Sequence, residues 1–276
     1  MNTFILASLL LLQIVGGDFT YTVQKGDSLT SIGARFGVDA PVLAEANGLE
    51  TDKLAIGQTL KIDNRHIVPP SNGVDLIVNV PQRMLFYFPP DGAADGYPIA
   101  AGRASWRTEI GDFQVISMEE NPTWDVPVSI QNEMRRNGKP VLTHVPPSPE
   151  NPLGQFWIGL NVGSIGIHGT NAPSSIYRLV THGCIRLSPE NIHTLFSKVR
   201  LGSRGRIVYE PVLIAHLENE IYLEAHPDPY RKSGDPLAKI VEAARAGGFF
   251  EDLNLSLVNE VIRKRDGIAR DITRHQ

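Results

Sequence analysis

The chain has 276 residues, 42% hydrophobic and 20% charged, with a formal net charge of -4. That length and balance allow one large folded domain or two unequal ones with ample core, and with no basic run they set nucleic-acid binding aside. Its single cysteine, Cys184, has no intramolecular thiol to pair with, which suits an oxidising compartment.

From Phe4 to Val15 the chain is apolar apart from Ser8 and Gln13, and Gly16-Gly17-Asp18 follow. The run has the length of a signal-peptide core and is too short for a spanning helix. No Lys or Arg precedes it. Residues 1–17 are therefore expected to be a signal peptide without a basic leader region, and the protein to be exported.

Tyr21-Thr22-Val23 reads as a short strand stopped by Gly26-Asp27. Ser28 then has the character of a helix cap before Leu29, Ile32 and Phe36, which share one helical face, and Gly37 ends that helix. A second helix is expected from about Ala40 to Asn47, and a closing strand over Gln58–Ile62. This strand–helix–helix–strand pattern, with Gly26-Asp27-Ser28-Leu29 and Ile56-Gly57-Gln58, resembles a LysM module over 21–62. The resemblance implies binding to N-acetylglucosamine-containing glycans such as peptidoglycan. Gly26, Asp27, Ser28 and the loop from Leu49 to Ile56 would be its glycan-binding positions.

Residues 63–73 are rich in proline and polar groups and read as a linker. Strands dominate afterwards. Asp75–Val80 and Met84–Phe88 form an expected hairpin about Pro81-Gln82-Arg83, and further strands fall at 97–101, 111–118, 156–160, 165–168 and 206–209. The one convincing helix in this stretch runs from Pro189 to Val199, capped by Ser188. The pattern predicts a mainly β domain over 74–209. Beyond the Pro-rich passage at 227–230, apolar spacing predicts two helices in a C-terminal extension, 210–276.

Cys184 stands in Thr181-His182-Gly183-Cys184-Ile185-Arg186, sixteen residues after His168-Gly169. A free thiol is only a few per cent thiolate at neutral pH, so nucleophilic use requires a base, and either His168 or His182 qualifies. On an extended strand His182 and Cys184 share a face. An inert buried thiol and a zinc site made by His168, His182 and Cys184 are the competing readings, the latter without a Cys-x-x-Cys pattern.

Ile167-His168-Gly169-Thr170 followed by Thr181-His182-Gly183-Cys184-Ile185-Arg186-Leu187 resembles the signature of the L,D-transpeptidase (YkuD-type) catalytic domain. Asn121–Trp124, Asn151–Gly154 and Tyr222–His226 extend the likeness toward the ErfK/YbiS type. The resemblance implies a β-sandwich-like catalytic domain with Cys184 as nucleophile, His168 as base and the Gly169 carbonyl orienting it. Gly183 and Cys184 N–H groups would face an oxyanion, and Thr181, His182 and Arg186 would meet substrate. It also implies peptidoglycan stems as substrate, a periplasmic location, and no metal or other cofactor. The acceptor would be a second stem or a lysine of an outer-membrane lipoprotein; water would make the enzyme a carboxypeptidase. A non-catalytic wall-binding protein and an unrelated cysteine protease are the rivals. In place of the family's Pro-Thr-Pro-x-Gly turn the chain has Arg107-Thr108-Glu109-Ile110-Gly111, where the turn is expected to survive. Trp106, Trp124 and Trp157 are candidate groove or core residues.

Overall fold

The computed structural model describes residues 13–275. In the front module Asp18–Thr22 pairs antiparallel with Thr59–Asp63, and helices Leu29–Phe36 and Ala40–Ala46 lie between them. Ser28 caps the first helix in a reciprocal capping box with Ser31, and Gly37 ends it at φ 76°, a left-handed conformation that suits glycine. Val23, Leu29, Ile32, Val38, Leu43, Leu60 and Ile62 form the module's core. Ile268, from the far end of the chain, completes it.

Most of the expected signal peptide lies outside the described residues. Its last part, Gln13–Val15, forms a strand antiparallel to His66–Val68, and Gln13 Oε1 accepts from the Ala94 N–H at 2.9 Å. The passage expected to be a linker is therefore no free tether, because His66, Ile67 and Val68 are fully buried. Glu224, also fully buried, ties this junction together. It accepts from His66 Nδ1 at 2.8 Å, the Ile67 N–H at 2.6 Å, Gln82 Nε2 at 3.1 Å and His226 Nε2 at 2.7 Å. His66 Nε2 meets the Gly37 carbonyl at 3.0 Å, so both ring nitrogens face acceptors and both donate. Front module, main sheet and C-terminal extension thus share one buried polar centre. Nearby, Arg83 makes a two-pronged ion pair with Asp39 and stacks on Tyr177 at 3.9 Å.

The expected mainly β domain is a mixed eight-stranded sheet. Its order is Ile185–Arg186, Gly166–His168, Phe156–Leu160, Gly111–Glu120, Arg204–Val208, Leu76–Asn79, Met84–Tyr87 and Asp95–Pro98. The hairpin at Pro81-Gln82-Arg83 is present, with Asn79 opposite Met84. Leu76, Val78, Ile158, Ile167, Ile185 and Ile207 fill the core beneath, closed by Ile192 and Leu195 of the helix Pro189–Lys198. Two parallel contacts, Arg204–Val208 with Leu76–Asn79 and Gly166–His168 with Ile185–Arg186, are made by segments far apart in sequence. Between Glu120 and Phe156 the chain leaves the sheet as an excursion holding a helix, Val128–Arg136, with no buried residue. The extension contains both expected helices, Pro236–Gly247 and Leu255–Lys264, packed on an unforeseen hairpin of Val212–Leu217 and Glu220–Ala225.

Candidate functional site

Burial alternates through the cysteine segment. Thr181, Gly183, Ile185 and Leu187 are buried, while His182, Cys184 and Arg186 are half-exposed. That period of two puts the last three on one face, where they line a cleft of about 890 Å³ with His168, Trp106, Trp124 and Trp157. The excursion forms the opposite wall through Pro122–Asp125, Ser129 and Ile130.

His168 is buried at the end of its strand, with Nδ1 at 2.7 Å from the Gly169 carbonyl. A carbonyl only accepts, so Nδ1 carries the proton and Nε2 keeps its lone pair. Burial, aided by the Arg186 charge, pushes this imidazole down to about 3 despite the Gly169 and Leu153 carbonyls. Burial also pushes the Cys184 thiol up, against the Gly166 backbone and Arg186. Both groups are therefore neutral near pH 7. Among the described residues no hydrogen bond joins them; they face the cleft as a thiol and a free base.

The turn before Cys184 is stapled from within. Thr181 Oγ1 donates to the Cys184 carbonyl at 2.6 Å and accepts from the Gly183 N–H at 3.2 Å. Thr181, expected to meet substrate, is buried at the lining of the cleft and serves the turn. The Gly183 N–H, expected to face an oxyanion, is likewise occupied, leaving the Cys184 N–H as the uncommitted backbone donor. Gly183 itself sits at φ 112°, a conformation that side chains disfavour.

His182 is drawn away from the thiol chemistry. Its Nε2 bonds the Glu133 carboxylate of the excursion helix, and its ring meets Trp106 edge-on at 4.4 Å. Arg103 donates to Glu133 at 2.8 Å and also lies 3.1 Å from His182 Nε2. That nitrogen cannot both donate to Glu133 and accept from Arg103; because the carboxylate only accepts, Nε2–H donates to it and Arg103 is a neighbouring charge. Arg103 and His182 together pull Glu133 down to about 2. His168, His182 and Cys184 form no three-ligand metal cluster among the described residues. Arg186 donates to Ser175 Oγ at 2.9 Å and keeps its Nε–H buried without a partner among the described residues.

In the front module Asp27 accepts from the Tyr21 hydroxyl at 2.6 Å and the Gln24 N–H at 2.8 Å, with Arg35 3.7 Å away. Ser28 caps its helix, and Gly26 turns at φ 92°. All three proposed glycan residues thus have structural employment.

Sequence reasoning missed the buttress beneath the cysteine turn. Thr108 Oγ1 donates to the Gly183 carbonyl and accepts from the Gly102 N–H, each at 2.9 Å. The Tyr230 hydroxyl donates to the Gly102 carbonyl at 2.6 Å and accepts from the Thr108 N–H at 3.1 Å. The altered turn thus keeps its threonine at work, while Tyr230 comes from the extension. Thr108→Val keeps the shape but strands a buried N–H and a buried carbonyl. It should lower unfolding stability by about 1–3 kcal/mol in denaturant titration, and slow reactions at Cys184 by loosening its turn.

A lone cysteine beside a buried imidazole, itself oriented by a backbone carbonyl, defines a cysteine-dependent enzyme whose nucleophile works without an acidic third member. Residues 73–214 match the L,D-transpeptidase catalytic domain (YkuD) and residues 21–63 the LysM domain, so the chain belongs to the L,D-transpeptidase family. The "Probable L,D-transpeptidase ErfK/SrfK" of Escherichia coli K12 is 28% identical over 275 residues, covering 95% of this chain and 88% of that protein. The "Probable L,D-transpeptidase YbiS" of the same organism is 31% identical over 221 residues, covering 78% and 72%. The catalytic domain of an E. faecium L,D-transpeptidase, solved by NMR, is 20% identical over 49% of this chain and 96% of its own, with a TM-score of 0.36. Among the described residues no helix is long and apolar enough to cross a membrane.

Proposed function

We propose that the protein transfers the acyl group of a peptidoglycan tetrapeptide stem to an amine in the periplasm, with its LysM module held on the same wall. The observation that carries this reading is Cys184 and His168 on one cleft, with the imidazole Nδ1 committed to the Gly169 carbonyl and Nε2 left to act as base. His168 takes the thiol proton as Sγ attacks the carbonyl at the L-centre of the third stem residue. The Cys184 N–H, uncommitted in the turn among the described residues, donates to the developing oxyanion; one such donor is worth about 2.7–4 kcal/mol. The protonated imidazole then gives its proton to the leaving nitrogen of D-alanine, forming a thioester. An incoming amine loses a proton to the same imidazole and releases the enzyme. A second stem as acceptor gives a 3–3 cross-link, a lipoprotein lysine gives an anchor, and water gives carboxypeptidase action.

Purified protein incubated with tetrapeptide-stem muropeptides should release D-alanine and show, by intact-protein mass, the tripeptide acyl group on Cys184. Muropeptide dimers or hydrolysed tripeptides among the products would identify the acceptor. Absence of D-alanine release would reject the reading.

A further inference from the structure

The cleft carries charges of opposite sign at the two ends of a row that runs through His168, and the chemistry above leaves those ends unused. Directly opposed residues on neighbouring strands share a face, and the register puts Glu119, Trp157, His168 and Arg186 in one row across four strands. All four line the cleft that holds Cys184. With strands about 4.8 Å apart, Glu119 stands roughly 10 Å from His168 on one side and Arg186 one strand away on the other. Trp157 bridges the gap, its indole stacked on the His168 ring at 6.0 Å between centroids. Asp125 lines the cleft from the excursion wall. Neither Glu119 nor Asp125 has an ion-pair partner among the described residues, whereas Glu133, deeper in the excursion, has two. At the other end Arg186 holds Ser175 with one nitrogen and keeps a buried N–H unpartnered among the described residues.

We propose that this row reads the charges of the acyl donor. Glu119 and Asp125 receive the distal ammonium of a diamino acid at the third stem position, and Arg186 receives the terminal carboxylate of the residue that leaves. With the scissile carbonyl at Cys184 Sγ, the leaving carboxylate lies just beyond the amide nitrogen, on the side where Arg186 stands two residues along from Cys184 on the same face. The distal ammonium lies at the far end of a long aliphatic side chain. That stem crosses Trp157 and ends where the carboxylates are. Binding at both ends fixes the carbonyl against the thiol, so remote contacts serve the reacting centre. The inference rests on the transpeptidase reading and narrows it to donors whose distal amine is free and charged.

Two synthetic tetrapeptide donors test it, one with a free distal amine and one acetylated there. Single-turnover acylation of Cys184 is followed by mass without any acceptor, which separates donor recognition from acceptor recognition. The wild type should favour the free-amine donor about fivefold, as expected for one ammonium between two exposed carboxylates. Glu119→Gln combined with Asp125→Asn should bring the ratio of the two donors close to one. Glu120→Gln, on the same strand but outside the cleft lining, should keep it. Equal wild-type rates with both donors, or a ratio unchanged in the double variant, would overturn the charge-reading row while leaving the transpeptidase reading intact. Failure of the wild type to form an adduct or release D-alanine with either donor would overturn both.

Discussion

Replacing Cys184 with alanine should abolish the acyl adduct and D-alanine release, and His168→Gln should slow acylation by about 10²–10⁴-fold, the usual worth of a positioned base. Glutamine keeps much of the volume beside the Gly169 carbonyl but offers no basic nitrogen to the thiol. The pH profile distinguishes a base that acts during attack from an ion pair formed beforehand. Burial holds His168 down at about 3 and the Cys184 thiol above its ordinary 9.0. The imidazole therefore stays neutral from pH 7 down through 5, and acylation should show no acid limb near 6.5. Alkylation of Cys184 by iodoacetamide, which needs thiolate, should be slow near neutrality and keep climbing through pH 9 without levelling off. A preformed thiolate–imidazolium pair would instead alkylate rapidly at pH 6, and that result would overturn the neutral-pair mechanism.

What was legible in the sequence lay close together in it. Cys184, His168 and Gly169 sit in two short motifs, and the orientation of His168 by Gly169 is a contact between chain neighbours. Ser28 capping a helix and the hairpin at Pro81-Gln82-Arg83 are likewise local events. The remainder depends on distant partners. Thr108 supports Gly183 from 75 positions away, and Tyr230 reaches Gly102 over 128. His182 could be placed on the face of Cys184 by the strand period, but not assigned to Glu133. That carboxylate rides on a helix with no buried residue, so it has no apolar stripe to read. The strand His66–Val68 is three residues long and sits between prolines and polar groups, where its burial leaves no pattern. Gly26, Asp27 and Ser28 were identified by motif, yet their side chains and φ angle are accounted for by the turn and cap they build.

Glu224→Ala should be the most destabilising substitution outside the cleft, because it leaves His66, Gln82 and the Ile67 N–H with unanswered donors in a fully buried centre. Removing one partner of a buried ion pair costs about 3–5 kcal/mol, roughly 10 °C in melting temperature for a chain of this size. Glu224→Gln should recover little, since its amide would turn a donor toward groups that already donate. Acid acts on the same centre. Burial alone would raise the Glu224 carboxyl, but His66 and His226 outweigh it and hold the group down to about 2, from 4.5 unfolded. Stability from this carboxylate is thus present above pH 4.5 and lost as pH falls toward 2. His168 and His226, kept neutral by burial, add a loss that begins as pH drops below 6.5, where the unfolded histidines take up protons. Denaturant titrations at stepped pH should show wild-type stability falling from pH 6.5 downward. Below pH 4.5 the Glu224→Ala curve should be shallower, because the variant has no carboxylate left to protonate. Parallel curves for the two proteins over that range would show that Glu224 is not ionised in the fold, and would remove the charge from the junction of module, sheet and extension.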